Sequence, residues 1–168
     1  MSTSTDISAD SAMEEVLTIF PGARRALFRK YHIGGCSSCG FKMDETLGGV
    51  CERNNDLDVA EVLSEIQSSH AADQKILVEP KALRNELATT PDLKLLDVRS
   101  REEFDAARIE GATHMTRDLM QEIMGKWDPE TPFVIIDHQG QQGLDAAAYY
   151  LGHGLKNVRC LRGGIDAW

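Results

Sequence analysis

Two clusters of residues in this chain have types and spacing that could do chemistry. The first is Cys36-Ser37-Ser38-Cys39, with Gly34, Gly35 and Gly40 around it and Cys51 further on. Two thiols separated by two residues can exchange between dithiol and disulfide, relay a persulfide sulfur, or hold one metal ion together. Glycine-rich backbone offers N–H groups to sulfur, and a helix following the pair would lower the pKa of Cys36. Cys51 falls one helical turn beyond Leu47 and could bring a third thiol. Cys36, Cys39 and Cys51 would leave one position of a tetrahedral zinc site open, with His32 the nearest candidate for it. An iron–sulfur cluster wants four cysteines, so it needs Cys160 as well, or a second chain. The opposing reading makes Cys51 a core thiol and the pair a reduced dithiol without a role.

The second cluster is Asp137-His138-Gln139-Gly140-Gln141-Gln142-Gly143. It lies between the apolar run Phe133-Val134-Ile135-Ile136 and the helical stretch Leu144 to Leu151. A carboxylate facing several backbone N–H groups at a helix N-terminus is well stabilised. Asp137 would then fill an anion site from within the chain and leave the pocket inert. The alternative is that Asp137 and His138 form an acid/base pair or a metal site. His114 and His153 read as surface or packing residues, and Cys160, inside a strand pattern, as a buried inert thiol.

Around these residues, 168 positions allow one domain or two small ones. A formal charge of −9 argues against a nucleic-acid partner, which needs clustered Lys and Arg. Both parts of the chain are acidic when it is divided after Lys75. The basic cluster Arg24-Arg25 with Arg29-Lys30 reads as a solvated helix face, with a docking patch for an acidic partner as the alternative. Met1 to Asp10 has no apolar signal-peptide core, and no apolar stretch approaches the roughly 18 residues of a membrane span. The expectation is a soluble, cytoplasmic protein that binds neither nucleic acid nor membrane. Four cysteines in such a compartment do not suggest a disulfide scaffold.

Residues 1–12 are small and polar, and are expected to be a disordered tail. Helical spacing appears over Met13 to Ile19, and again over Ala23 to Tyr31, with Pro21-Gly22 between them and Gly34-Gly35 as the stop. Thr46 to Asn54 makes a short helix. Asp58 could cap a last one, Val59 to Gln67. Residues 13–68 therefore read as a small all-helical domain, and 69–75 as a polar linker. Residues 76–168 alternate strand and helix signals. Ile76 to Val78, Leu93 to Val98, Phe133 to Ile136 and Val158 to Leu161 read as strands. Pro80 to Leu87, Arg101 to Ala107, Arg117 to Trp127 and Leu144 to Leu151 read as helices. Ser100 with Glu103 makes a capping box before the second of these helices. This rhythm predicts an α/β open parallel sheet with helices on both faces.

Several blocks in this second part resemble the rhodanese family. They are Leu95-Leu96-Asp97-Val98-Arg99 with Glu102-Glu103-Phe104, then Arg108 to His114, then Asn157-Val158 with Leu161-Arg162-Gly163-Gly164-Ile165-Asp166-Ala167-Trp168. These spaced blocks, in order, place the resemblance over Ile76 to Trp168. The resemblance implies a rhodanese-like fold in which the loop after the fourth strand carries a nucleophilic cysteine ringed by backbone N–H groups. Carried over by position, that cysteine becomes Asp137, the following arginine His138 and the serine Gln139. Gly140 is kept, and Gln141 and Gln142 replace the next polar residues. A carboxylate cannot carry a persulfide sulfur, so the resemblance implies a scaffold without its reactive atom. It also implies that Asp97 and Arg99 brace the fold beneath the loop.

The first part resembles the hybrid-cluster-protein-associated disulfide domain family (DUF1858). The resemblance rests on Met13 to Leu17, Phe20-Pro21-Gly22-Ala23, Cys36-x-x-Cys39, Glu45-Thr46-Leu47 and Cys51. It implies a redox disulfide at Cys36/Cys39. The expected function is a redox or sulfur-handling accessory protein whose sheet domain is an inactive scaffold and which has a protein partner in sulfur or redox metabolism. The alternatives are an active sulfurtransferase or sulfur carrier, and a non-catalytic zinc- or iron–sulfur-binding interaction module.

Overall fold

A computed structural model describes residues 6–34 and 40–168. The chain divides into two compact units, Met1–Gln74 and Lys75–Trp168.

In the first unit the described residues form α1 (Met13–Ile19), α2 (Ala23–Tyr31), α3 (Leu47–Arg53) and most of α4 (Val59–Ile76). Their apolar stripes meet in one core that includes Met13, Val16, Leu27, Leu47, Val50, Val62 and Ile66. The side chain of Asp58 accepts from the N–H groups of Ala60 and Glu61 at the start of α4, as an N-cap should. Helix α2 ends at His32 in the left-handed region, φ 59°.

Two stretches differ from the sequence reading. Residues 69–75 are not a polar connector but the last turns of α4. Ser69 and Asp73 are buried there, Asp73 pairs with Arg25 at 2.5 Å, and His70 meets the edge of the Phe20 ring. Gly22 makes the approach possible, because a Cβ on it would stand 2.3 Å from Asp73 Oδ2. The tail reading also gives way over residues 7–12. Ile7 is buried, and the Ala9 and Ser11 carbonyls accept from the N–H groups of Gly48 and Leu47. Residues 1–5 of that tail lie outside the described residues. The basic cluster is a solvated face only in part: Arg29 and Lys30 are exposed and reach Glu65 and Glu61, whereas Arg25 pairs with buried Asp73 and Arg24 lies over the Phe41 ring.

The second unit runs β1 (Leu77–Val78), α5 (Pro80–Thr89), β2 (Lys94–Asp97), α6 (Arg101–Ala106), β3 (Ala112–His114), α7 (Arg117–Lys126), β4 (Phe133–Ile136), α8 (Gln141–Gly152), β5 (Val158–Leu161) and α9 (Gly164–Ala167). All five strands pair in parallel in the order β1-β5-β4-β2-β3. β4 is central, and all four of its residues are buried. Successive side chains of a strand point to opposite faces. Phe133 and Ile135 accordingly pack with Ile123, Leu144, Ala147 and Tyr150 on one face. Val134 and Ile136 pack with Val78, Leu83, Leu161 and Ile165 on the other. Helices therefore cover both faces, as the alternating pattern predicts. The C-terminal ends of β2 and β4 lie side by side, with Asp97 in register with Ile136. Loops that leave neighbouring strand ends of such a sheet form the crevice where α/β sheets bind ligands.

Candidate functional site

The loop leaving β4 begins with Asp137, whose residue is 2% exposed. Its Oδ1 accepts from the Gly140 N–H at 2.5 Å and its Oδ2 from the Gly143 N–H at 2.9 Å. These donors are the N-cap and third residue of α8, two of the groups a helix leaves without internal partners. The carboxylate thus closes the helix N-terminus on itself, at the positive end of the α8 dipole.

Several glycines make this fold of the loop possible. Gly140 is left-handed at φ 96°. A Cβ on Gly143 would lie 2.5 Å from Cys160 Sγ and 3.4 Å from the Asp137 carboxyl carbon. On the outer side, Ile165 N–H donates to the Asp137 carbonyl and Asp166 N–H to the His138 carbonyl, at 2.8 and 3.2 Å. Gly164 permits that contact, since a Cβ there would fall 2.5 Å from the His138 carbonyl group.

Asp97 ends the neighbouring strand and is fully buried. Arg99 folds back on it with contacts of 3.0 Å from Nε to Oδ1 and 2.7 Å from Nη2 to Oδ2, and donates also to the Ala107 carbonyl at 2.6 Å. The Asp97 carboxylate holds the Arg99 guanidinium more firmly protonated than usual. The His114 ring lies 2.9 Å from the Arg99 carbonyl through Nε2 and packs on Phe104. His114 is a packing residue, as expected, and His153 bonds the Tyr149 carbonyl within its own helix end.

Over the loop lies a cavity of about 260 Å³. Asp137 lies at its floor, and Arg99, Ser100, Glu103, His138, Gln141 and Gln142 are among its walls. Ser100 and Glu103 complete the capping box of α6, and Ser100 hydrogen bonds hold the Glu103 carboxyl below the usual carboxylate range. His138 does not turn toward Asp137. Its Nδ1 stands 3.6 Å from Glu103 Oε1 and its Nε2 3.5 Å from Asp166 Oδ1. Gln139 Nε2 donates to Asp166 at 3.3 Å. Asp137 and His138 are therefore neighbours in the chain that face different partners, so the acid/base pair entertained from sequence is not formed. Sequence alone marks Glu103 as a cap and places Glu103 and Asp166 in family-like blocks, but gives neither a part in the site. The capping box explains why Glu103 is there, but its second contact crosses the fold and leaves no local signal.

Cys160 is fully buried in β5, with its thiol 3.7 Å from the Gly140 carbonyl. It lies directly under the loop despite its distance in sequence, but it faces the interior. In the other unit, Cys51 is 1% exposed within the α3 core, and burial pushes its thiol pKa up. Such a thiol is poorly suited to ligate or react. Cys36 and Cys39 lie outside the described residues. Among the described residues no cluster of three His, Cys, Asp or Glu side chains is arranged to hold a metal ion, and no helix is long and apolar enough to cross a membrane.

Known proteins bear on the sheet unit. The thiosulfate sulfurtransferase GlpE of Pseudomonas entomophila is 30% identical over 74 residues, 44% of this chain and 68% of that protein. GlpE of Tolumonas auensis is 29% identical over 82 residues, 49% and 77% of the two chains. Among solved structures, the Alr3790 protein from Anabaena sp. matches with a TM-score of 0.50 at 25% identity, over 54% of this chain and 74% of that one. Residues 79–168 match the rhodanese-like domain family, and the chain belongs to that family.

Proposed function

We propose that this protein is a redox or sulfur-handling accessory protein whose rhodanese-like unit does not turn over thiosulfate. The observation that carries the reading is the buried Asp137 carboxylate, held by the Gly140 and Gly143 N–H groups. In a sulfurtransferase of this fold, a thiolate at such a place takes the outer sulfur of thiosulfate and sulfite leaves; the persulfide then gives that sulfur to an acceptor. A carboxylate oxygen cannot form that persulfide, and here it already occupies the N–H groups that would stabilise one. The equivalence of Asp137 to the family's nucleophile position is part of this proposal.

The reactive thiols are then Cys36 and Cys39, in a helical domain of the disulfide-domain type (DUF1858). Either they pass two electrons and two protons to a disulfide partner and become a disulfide, or one of them carries a persulfide sulfur. A cytoplasmic setting and a protein partner in sulfur or redox metabolism belong to the same proposal. The GlpE relatives favour a second reading, an active sulfurtransferase.

A thiosulfate:cyanide assay on the full chain separates the two. The accessory reading expects no thiocyanate from a Cys36→Ser/Cys39→Ser variant. Undiminished turnover in that variant, relative to a turning-over wild type, establishes the second reading. Mass spectrometry of the untreated protein then reports disulfide or persulfide at Cys36 and Cys39. Two unmodified thiols that stay unmodified across glutathione redox buffers would overturn their assigned role.

A further inference from the structure

We infer that Arg24 is the cation that holds the anionic sulfur of the Cys36/Cys39 pair, as a thiolate or as a persulfide anion. The inference rests on the reading that these thiols are the reactive ones, and it names the charge that serves them.

Arg24 belongs to the basic cluster of α2, yet its charge is not taken up by an acid. Arg25 pairs with Asp73, Arg29 with Glu65, and Lys30 with Glu61 and Glu65. Arg24 instead lies over the Phe41 ring, with its guanidinium carbon 4.5 Å from the ring centre. Its Nη1 is sealed from solvent without a hydrogen-bond partner, and among the described residues Arg24 forms no ion pair. A guanidinium stays charged in a protein, and leaving a buried donor of a charged group unpaired is costly.

The two ends of the segment that bears the thiols fix the place of that charge. Gly34 is left-handed at φ 83°, and the Cβ it lacks would stand 3.5 Å from Phe41 Cε1 and 3.8 Å from Arg24 Nη1. Gly40 has no room for a Cβ against Gly34 Cα, so the two backbones touch. The chain therefore leaves and returns at one point, and Arg24 Nη1 lies beside it. Cys36 is two residues beyond Gly34, and Cys39 is one residue before Gly40. At most about 7 Å and about 4 Å of backbone separate their Cα atoms from those glycines.

A second guanidinium meets the same end, but its charge is spent. Arg53 donates to the Gly40 carbonyl at 2.9 Å and to the Glu45 carboxylate at 2.8 and 2.9 Å. Arg53 anchors the segment, and Arg24 supplies the field. A cation beside a cysteine favours its thiolate, and a persulfide anion carries the same charge one sulfur further out. Cys51 does not compete for Arg24, because burial in the α3 core disfavours its thiolate.

The test alkylates the full chain with anionic iodoacetate and with neutral iodoacetamide, and maps the adducts at Cys36 and Cys39 by peptide mass spectrometry. The same thiolate attacks both reagents, so the ratio of the two rates cancels the thiolate fraction and reads the charge beside the sulfur. The iodoacetate-to-iodoacetamide ratio is expected to fall about fivefold in Arg24→Met, the effect of a unit charge about 4 Å away at the dielectric of water. Met keeps an apolar stem on Phe41. Arg24→Lys should restore most of the ratio, which a purely structural role would not require. Arg29→Gln, which loses an exposed pair with Glu65, should leave it unchanged. A blocked peptide of residues 34–41 lacks Arg24 and should show the lower ratio, so the comparison stands even where Arg24→Met does not fold. Equal ratios in the wild type and the peptide, an unchanged ratio in folded Arg24→Met, or no recovery with Lys would overturn the inference. Thiols that cycle in glutathione buffers with a ratio independent of Arg24 sink this inference alone, whereas thiols that never cycle sink the reading beneath it.

Discussion

Asp97 ends β2 and Asp137 follows the neighbouring parallel strand β4; both are buried, yet they are neutralised in different ways. Asp97 is held by a side chain two residues along the chain, in a fork-like contact with Arg99. Asp137 is held by backbone N–H groups of its own loop and of the α8 N-terminus. A side-chain partner makes a brace that tolerates no substitute for either member. Backbone donors make a receptacle defined by shape and charge, which a different anion could occupy. The first arrangement serves stability. The second is the place we propose as equivalent to the family's nucleophile position.

The largest effect should come from breaking the brace. Asp97→Ala leaves Arg99 charged and buried, at a cost of about 3–5 kcal/mol. Both tryptophans, Trp127 and Trp168, lie in the sheet unit, so denaturant unfolding followed by their fluorescence reports that unit. Asp137→Ala should cost less, about 2–3 kcal/mol for two charge-assisted bonds lost at a helix N-terminus. Added acetate should restore part of the stability of Asp137→Ala and none of that of Asp97→Ala. Equal responses of the two variants to acetate would erase the distinction between brace and receptacle.

A smaller loss, about 1–3 kcal/mol, is expected for Gly143→Ala, whose methyl group would press on Cys160 and the Asp137 carboxyl. Cys160→Ala in the same chain should recover much of it. Independent, additive effects of the two changes would show that the thiol does not support the loop.

The smallest effect concerns pH. The Arg159 guanidinium holds the Glu86 carboxyl below the usual carboxylate range. A depressed folded pKa means that the contribution is present above about pH 4.3, the ordinary Glu value, and is lost as pH falls through the folded value. The pair is partly exposed, so it is worth about 0.5 kcal/mol. Glu86→Gln should flatten the acid limb of the stability curve by that amount, and an unchanged limb would remove the pair from the account.

Much of this architecture is legible in the residues. The apolar run Phe133 to Ile136 announces a central strand, Ser100 with Glu103 announces a capped helix, and Asp58 announces the start of α4. Other elements leave too little trace. β3 has three residues and α9 has four, too short for a periodic pattern. The last turns of α4 are polar because their burial rests on an ion pair with Arg25, 48 positions away, and on the missing Cβ of Gly22. At the loop, the residue types suggested a carboxylate filling its own anion site, and the hydrogen bonds to Gly140 and Gly143 agree with that. The alternative of an Asp137–His138 pair is not formed, because the His138 ring lies against Glu103 and Asp166, which come from two other helices. Cys160 was read as buried, and it is; its place under the loop follows from the pairing of β4 with β5, not from any local signal.

The central claim is that the loop after β4 lacks sulfur transfer because a carboxylate occupies it. The most direct test compares Cys36→Ser/Cys39→Ser with the same variant carrying Asp137→Cys, both treated with thiosulfate and mapped by peptide mass spectrometry. The account predicts an added sulfur at position 137 in the second protein and no sulfur adduct in the sheet unit of the first. A sheet-unit adduct with thiocyanate production in the first protein, while Asp137 is still in place, would contradict it.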